Sequence, residues 1–122
     1  MRWCIKKHIG GKDMNEKDKA LILEFKSKIP SNLARHLKRI IIFGSRAKGK
    51  ATEDSDLDVI VLVDKKTSEI EKYLNDIAYQ VMWDHDFKPI ISLKVFAEAQ
   101  FNNAISKGFS FYRHVEKEGI SV

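Results

Sequence analysis

Apolar residues recur along this chain in two rhythms, and the alternation of the two predicts its elements. Leu21, Ile22, Phe25 and Ile29 fall three and four apart from about Asn15, the spacing of one helical face, and Pro30 ends that run. Ser31 can cap a short second helix, Asn32 to Leu37. Arg39 to Phe43 and Leu57 to Val63 are brief, nearly unbroken apolar runs rich in Ile and Val, predicted as neighbouring buried strands. Ser68-Glu69-Ile70-Glu71 has the form of a capping box. The helix it opens carries Ile70, Tyr73, Leu74, Ile77, Ala78, Val81 and Met82 on one stripe, which predicts core packing rather than a cofactor contact. Phe87 to Val95 is a third strand, and Pro89, which has no N–H to donate, fits an edge or a strand start. Phe96 to Lys107 is helical, Gly108 breaks it, and Phe109 to Glu118 forms a last helix that stops at Gly119. The order helix, strand, turn, strand, helix, strand, helix predicts an α/β (α+β) fold, a small mixed β-sheet packed with helices in a single domain.

Residues 1–13, with Gly10-Gly11-Lys12-Asp13, show no period and are expected to form a flexible N-terminal extension ahead of a domain spanning 14–122. Met14, where the ordered pattern begins, is a candidate start of the biological chain. A length of 122 residues, 43% of them hydrophobic and 32% charged, suits one hydrophobic core. No apolar run approaches the roughly 18 residues that a membrane span requires, and the N-terminus lacks the apolar centre of a secretion signal, so a cytoplasmic protein is expected. Cys4 is the only cysteine and has no second thiol for a disulfide or a zinc site. His8, His36, His85 and His114 are scattered without ligand spacing.

Charge is distributed more tellingly than the net value of +5. Between Glu24 and Glu53 stand eight basic residues and no acidic one, and four acids then fall between Glu53 and Asp58. Such a boundary sets a positive approach for a polyanion beside a negative cup for a metal ion. For Lys26, Lys28, Arg35 and Lys38 a solvated helix face explains the charge as well. A nucleic-acid groove is disfavoured, because no aromatic residue except Phe43 interleaves with the basic run.

The boundary itself carries the chemistry. Gly44-Ser45-Arg46-Ala47-Lys48-Gly49-Lys50 follows one apolar strand, and Ser55-Asp56-Leu57-Asp58 opens the next. On a strand of period two, Asp56 and Asp58 leave one face while Leu57, Val59 and Val61 leave the other. Two adjacent carboxylates repel, and hard oxygen donors of this kind suit Mg²⁺, which is bound by a few carboxylates together with substrate phosphates. Backbone N–H groups at a glycine turn converge on anions. A Walker loop is one hydroxyl short, with Ala51 where Ser or Thr belongs, and is followed by an acidic turn and a strand instead of a helix. A calcium loop fails because Val59 replaces its Gly and Lys65 its closing Glu. A polar turn with merely solvated acids remains open.

A Gly-Ser pair after a strand, ten intervening residues and Asp-x-Asp on the next strand resemble the signature of the DNA polymerase β-like nucleotidyltransferase superfamily. The Phe-Gly-Ser-Arg-Ala-x-Gly and Ser-Asp-x-Asp forms, in so short a chain, resemble the minimal nucleotidyltransferases, many of which are encoded beside HEPN-domain toxins. The resemblance implies the superfamily's palm fold, with Gly44, Ser45, Arg46 and Lys48 binding a nucleoside triphosphate. It implies two Mg²⁺ ions on Asp56 and Asp58, with a third carboxylate from a later strand. Pro89 to Val95 contains no acid, so Asp86 is the candidate third catalytic and metal residue and Asp84 the second choice. For both, a polar turn closing the preceding helix is the competing reading.

The resemblance implies a Mg²⁺-dependent transfer of a nucleoside monophosphate, AMP from ATP in the first instance, to an acceptor hydroxyl on a HEPN toxin. The alternative is an antitoxin with little or no catalysis that neutralises its partner by binding. A homo-oligomer is compatible with either.

Overall fold

An apolar side chain at nearly every position of Leu57–Val63 makes both sides of that strand hydrophobic, and the fold covers both. The computed structural model describes residues 7–8, 14–47 and 55–122. Its elements run β1 (Lys7–His8), α1 (Glu16–Ser27), α2 (Ser31–Ala34), β2 (Leu37–Phe43), β3 (Leu57–Val63), α3 (Ser68–Asp84), β4 (Ile91–Ala97), α4 (Glu98–Ser106), α5 (Ser110–Glu118) and β5 (Ile120–Ser121). The described strands form one mixed sheet in the order β1-β5-β2-β3-β4. β3 runs antiparallel to β2 and parallel to β4, and every residue of β3 is buried except Asp58, which is half-buried.

The two faces are packed by different helices, as the alternation along β3 requires. Leu57, Val59, Val61 and Val63 join Ile40 and Ile42 of β2 under Leu21, Ile22 and Phe25 of α1 and Leu74, Ala78 and Val81 of α3. Ile60 and Leu62 join Ile41 under Phe101 and Ile105 of α4 and Val115 of α5. This is the mixed sheet packed with helices that the sequence predicts. β4 is an edge strand that begins two residues after Pro89, in keeping with the missing N–H.

Boundaries differ where local hydrogen bonding overrides the pattern. Ser31 is the first residue of α2 instead of its cap, and Thr67, one residue before the expected box, caps α3 by accepting from the Ile70 N–H at 3.1 Å. β4 starts at Ile91 and not at Phe87, because Asp86 and Phe87 both take left-handed backbone conformations, φ +57° and +56°. The Phe87 N–H then donates to the Met82 carbonyl at 2.8 Å, and its ring lies against Tyr79 and Trp83 on the surface. Lys7–His8, within the stretch expected to be flexible, pairs in parallel with β5 as β1; the rest of that stretch lies outside the described residues. His36 and His85 do not converge on a ligand site. His36 Nδ1 lies 3.1 Å from Asp64 Oδ1, and His85 Nε2 lies 3.0 Å from Glu24 Oε1.

β5 is too short to show a period, and Gly119 makes it possible. Its N–H donates to the Val115 carbonyl at 2.7 Å as the chain leaves α5 to pair with β2 at Ile41 and Ile42. A methyl at Gly119 would lie 2.5 Å from that carbonyl oxygen and 2.7 Å from Ile41 Cγ2. Gly119→Ala is therefore expected to lower stability by about 1–3 kcal/mol, the usual cost of overpacking. Urea unfolding measures it, and an unchanged midpoint would show that β5 docks without this close approach.

Candidate active site

A mixed topology brings three strand ends to one edge of the sheet. Phe43 at the end of β2 pairs with Asp58 near the start of β3, and Leu57 pairs with Ile91 at the start of β4. Here the Gly-Ser turn meets the acidic strand. Gly44 has φ +82°, a conformation that costs glycine little, and a methyl on it would lie 2.6 Å from Asp58 Oδ2. The glycine is thus required twice, for the turn and for the space occupied by the carboxylate. Ser45 beside it is exposed, as is Asp56.

Asp58 stands on the α4–α5 face with Ile60 and Leu62, while the alternate residues of β3 point into the opposite layer. On that face its neighbours across β4 are Ser92, in register with it, and Lys94, in register with Ile60. Phe43 lies edge-on to the half-exposed Phe111 ring of α5, centroids 5.7 Å apart, and forms the apolar flank. Burial, the strongest influence, pushes the Asp58 carboxyl above its ordinary range; the Lys94 ammonium pulls it back, and the Asp56 charge adds a push upward. Two carboxylates, one partly withdrawn from water and both beside a turn of freed backbone, form a donor set that fits a hard divalent ion carrying phosphates. Among the described residues no cluster of three or more His, Cys, Asp or Glu side chains is present that could hold a metal.

Arg46, expected at a phosphate, has an internal task. Its side chain is only 7% exposed, and Nη1 donates to both carboxylate oxygens of Asp18 on α1, at 3.0 and 3.1 Å. Nε donates to the Ser55 carbonyl at 2.7 Å, immediately before Asp56. The guanidinium ties the Gly-Ser turn, the entry to β3 and α1 into one unit. Lys48 lies outside the described residues.

Asp86 is exposed in the left-handed turn after α3. That helix packs on the α1 side of the sheet, and the adjacent His85 reaches Glu24 of α1. The charges that bear on the Asp58 carboxyl are those of Lys94, which lowers its pKa, and Asp56, which raises it. Asp84 accepts from Gln80 Nε2 at 3.1 Å and lies 3.9 Å from Lys28 Nζ. The polar turn closing α3 therefore describes where both residues stand.

Sequence reasoning passed over Asp18 and Lys94, although both left a signal. Asp18, Leu21, Ile22 and Phe25 follow the i, i+3, i+4, i+7 spacing, so an acid falls on the buried stripe of α1 and requires a buried cation. Ser92 and Lys94 alternate with Ile91, Leu93 and Val95, which assigns them to the Asp58 face.

Two outcomes are expected. Asp18→Ala should cost about 3–5 kcal/mol in urea unfolding, because it leaves the Arg46 guanidinium buried without its carboxylate. Asp18→Leu combined with Arg46→Met should be more stable than Asp18→Ala, and a loss within about 0.5 kcal/mol for the single variant would mean that water replaces the pair. The second concerns pH. A carboxyl whose folded value is raised holds its proton longer in the folded chain, so metal-free stability falls as pH rises from the ordinary carboxylate value through the raised one. In EDTA, Asp58→Asn should accordingly raise the thermal midpoint at neutral pH, and that gain should vanish below the ordinary carboxylate range. A lower midpoint at neutral pH would assign Asp58 a structural role.

Known proteins resemble this chain over most of its length. Residues 19–120 match the nucleotidyltransferase domain family. MJ0604 of Methanocaldococcus jannaschii, provisionally named a protein adenylyltransferase, is 35% identical over 106 residues, covering 87% of this chain and 96% of that protein. MJ0141 of the same organism, with the same provisional name, is 35% identical over 105 residues, covering 84% and 95%. A crystal structure from Sulfolobus solfataricus, provisionally titled a nucleotidyltransferase, aligns with TM-score 0.43 at 18% identity over 76% of this chain and 85% of its own. The Gly-Ser turn closed against an Asp-x-Asp strand, and a match that runs through nearly the whole sheet, show that the chain belongs to the nucleotidyltransferase domain family.

Proposed function

We propose that this chain transfers AMP from ATP to a hydroxyl group on a protein. The observation that carries the proposal is the close approach of Gly44 to the Asp58 carboxylate, a glycine turn of the kind that suits phosphates beside an acid of the kind that suits a metal ion. The provisional names of the two M. jannaschii relatives support a protein acceptor. The resemblance to minimal nucleotidyltransferases makes a HEPN-domain partner the acceptor to try first.

In this reading the backbone N–H groups of Gly44 and Ser45 approach the terminal phosphates. Asp56 and Asp58 would hold Mg²⁺, whose charge would neutralise the phosphates and the leaving pyrophosphate and make the acceptor hydroxyl more acidic. Arg46, through Asp18 and the Ser55 carbonyl, fixes the turn and the acids relative to each other, so that little reorganisation is needed when substrate arrives. The acceptor oxygen bonds to the α-phosphorus as the bond to pyrophosphate breaks. Phosphoryl-type transfer asks mainly for positioning and charge neutralisation, which a site of so few groups can supply.

A second reading, an antitoxin that acts only by binding, draws support from β4, where Lys94 and no acid faces Asp58. Asp56→Asn and Asp58→Asn decide between the two. Each is expected to abolish Mg²⁺-dependent labelling of a HEPN-domain partner by ATP radiolabelled at the α-phosphate, without lowering the thermal midpoint of the chain. Mg²⁺ with ATP should raise the wild-type midpoint more than either does separately, by linkage. A midpoint unmoved at millimolar ligand would leave the binding-only antitoxin.

A further inference from the structure

Lys94 is a charged group beside Asp58, among the described residues, to which the transfer reading gives no task. It projects from β4 on the same face as Asp58: in the parallel β3–β4 ladder, Asp58 is level with Ser92 and Ile60 with Lys94, and Phe96, the next residue of that row, packs into the cluster under α4 and α5. Its ammonium is near enough to act on the Asp58 charge. The exposed Lys94 lies on an edge strand, where no further strand crowds it and its flexible stem can bring the ammonium toward the strand ends.

The donor count and the charge then lead to the same conclusion. Mg²⁺ asks for near-octahedral oxygen, and Asp56 and Asp58 with phosphate oxygens and water complete that shell for one ion. A second ion would sit roughly 3.5–4 Å from the first, drawing again on Asp58 and facing an ammonium of like charge on the same face. A carboxylate and a divalent ion together add one positive charge to a site, and so does one lysine. The electrostatic service of a second metal can be supplied by a cation already built into the sheet.

We propose that Lys94 is a fixed cation of the active site and that the Asp56–Asp58 pair takes one divalent ion with the nucleotide instead of two. This rests on the nucleotidyl-transfer reading and makes the centre a one-metal, one-lysine site. Lysine rather than arginine suits the role, because a compact point charge can follow the phosphates without demanding planar, two-pronged geometry.

The test counts metal and does not depend on turnover. The intact chain is saturated with α,β-methylene ATP, and bound Mn²⁺ per chain is measured by equilibrium dialysis, with the paramagnetic signal of free Mn²⁺ as readout. Wild type should bind one Mn²⁺ per chain, Lys94→Arg also one, and Lys94→Glu should bind two, because the substitution trades the cation for a ligand. Lys94 is solvent-exposed, so the variants should keep the wild-type circular dichroism. Two Mn²⁺ on the wild type would overturn the proposal by itself, whatever the variants do. A count that stays at one in a folded Lys94→Glu would overturn it as well. No binding of the analogue to wild type at any Mn²⁺ concentration would be a different failure, removing the transfer reading on which the proposal rests.

Discussion

A guanidinium and a carboxylate buried together hold the functional end of this molecule in shape. Withdrawing Arg46 and Asp18 from water costs several kcal/mol for each ion, and their mutual attraction does little more than offset it. What the pair contributes is position. Arg46 leaves the Gly-Ser turn, donates from Nη1 to both oxygens of Asp18 on α1, and donates from Nε to the Ser55 carbonyl at the mouth of β3. Two chain segments whose own backbone makes no regular ladder are thereby fixed to a helix that is itself locked into the core by Leu21, Ile22 and Phe25. The approach of Gly44 to the Asp58 carboxylate, too close for any Cβ, can persist only if both sides are held in this way.

The connectivity explains why the chemistry gathers at that end. An antiparallel β2–β3 pair places the close of one strand beside the opening of the next, and a parallel β3–β4 pair adds a third opening alongside. The strand bodies are covered on both faces by helices, which leaves the strand ends as the place where carboxylates can be half-hydrated. Asp58 is at that boundary: burial disfavours its charge, Asp56 adds to the disfavour, and a cation relieves both. Asp86 stands exposed in the turn after α3. Its neighbour His85 is engaged with Glu24, on the layer opposite the one Asp58 faces.

How much was legible in the sequence follows from how far each signal reaches. The bounds of β3 and the core stripe of α3 were readable because burial acts on every second or every third and fourth residue, although Tyr73 on that stripe is exposed. The meeting of Gly44 with Asp58 was readable because a short motif carries both partners. β5 and β1 were not, since strands of two residues have no period, and β5 joins β2 where Gly119 packs closely on Ile41. The start of β4 was misplaced because two consecutive left-handed residues, neither of them glycine, ended the helix with a turn where the apolar pattern continued. Arg46 looked like a phosphate ligand because its true partner lies 28 residues away. Only a reading of the acid on the α1 stripe as a demand for a buried cation would have joined the two.

The charge layout gives the site its sense of direction. A chain of net charge +5 attracts polyanions as a whole, yet the place where the phosphates would settle is led by two carboxylates. A bare triphosphate would be repelled at that point and a metal-bound one would not, so in the proposed reading the pair favours the nucleotide in its ion-bound form. Lys94 moderates the selection. By pulling against the rise that burial and Asp56 impose on Asp58, it favours a carboxylate that is ionised and ready as a ligand before any metal arrives. The same ammonium limits how much further positive charge the face accepts. One side chain on an edge strand thus bears on both the readiness of the acid pair and its capacity for metal, and it does so from a position that an alternating strand pattern had already turned toward Asp58.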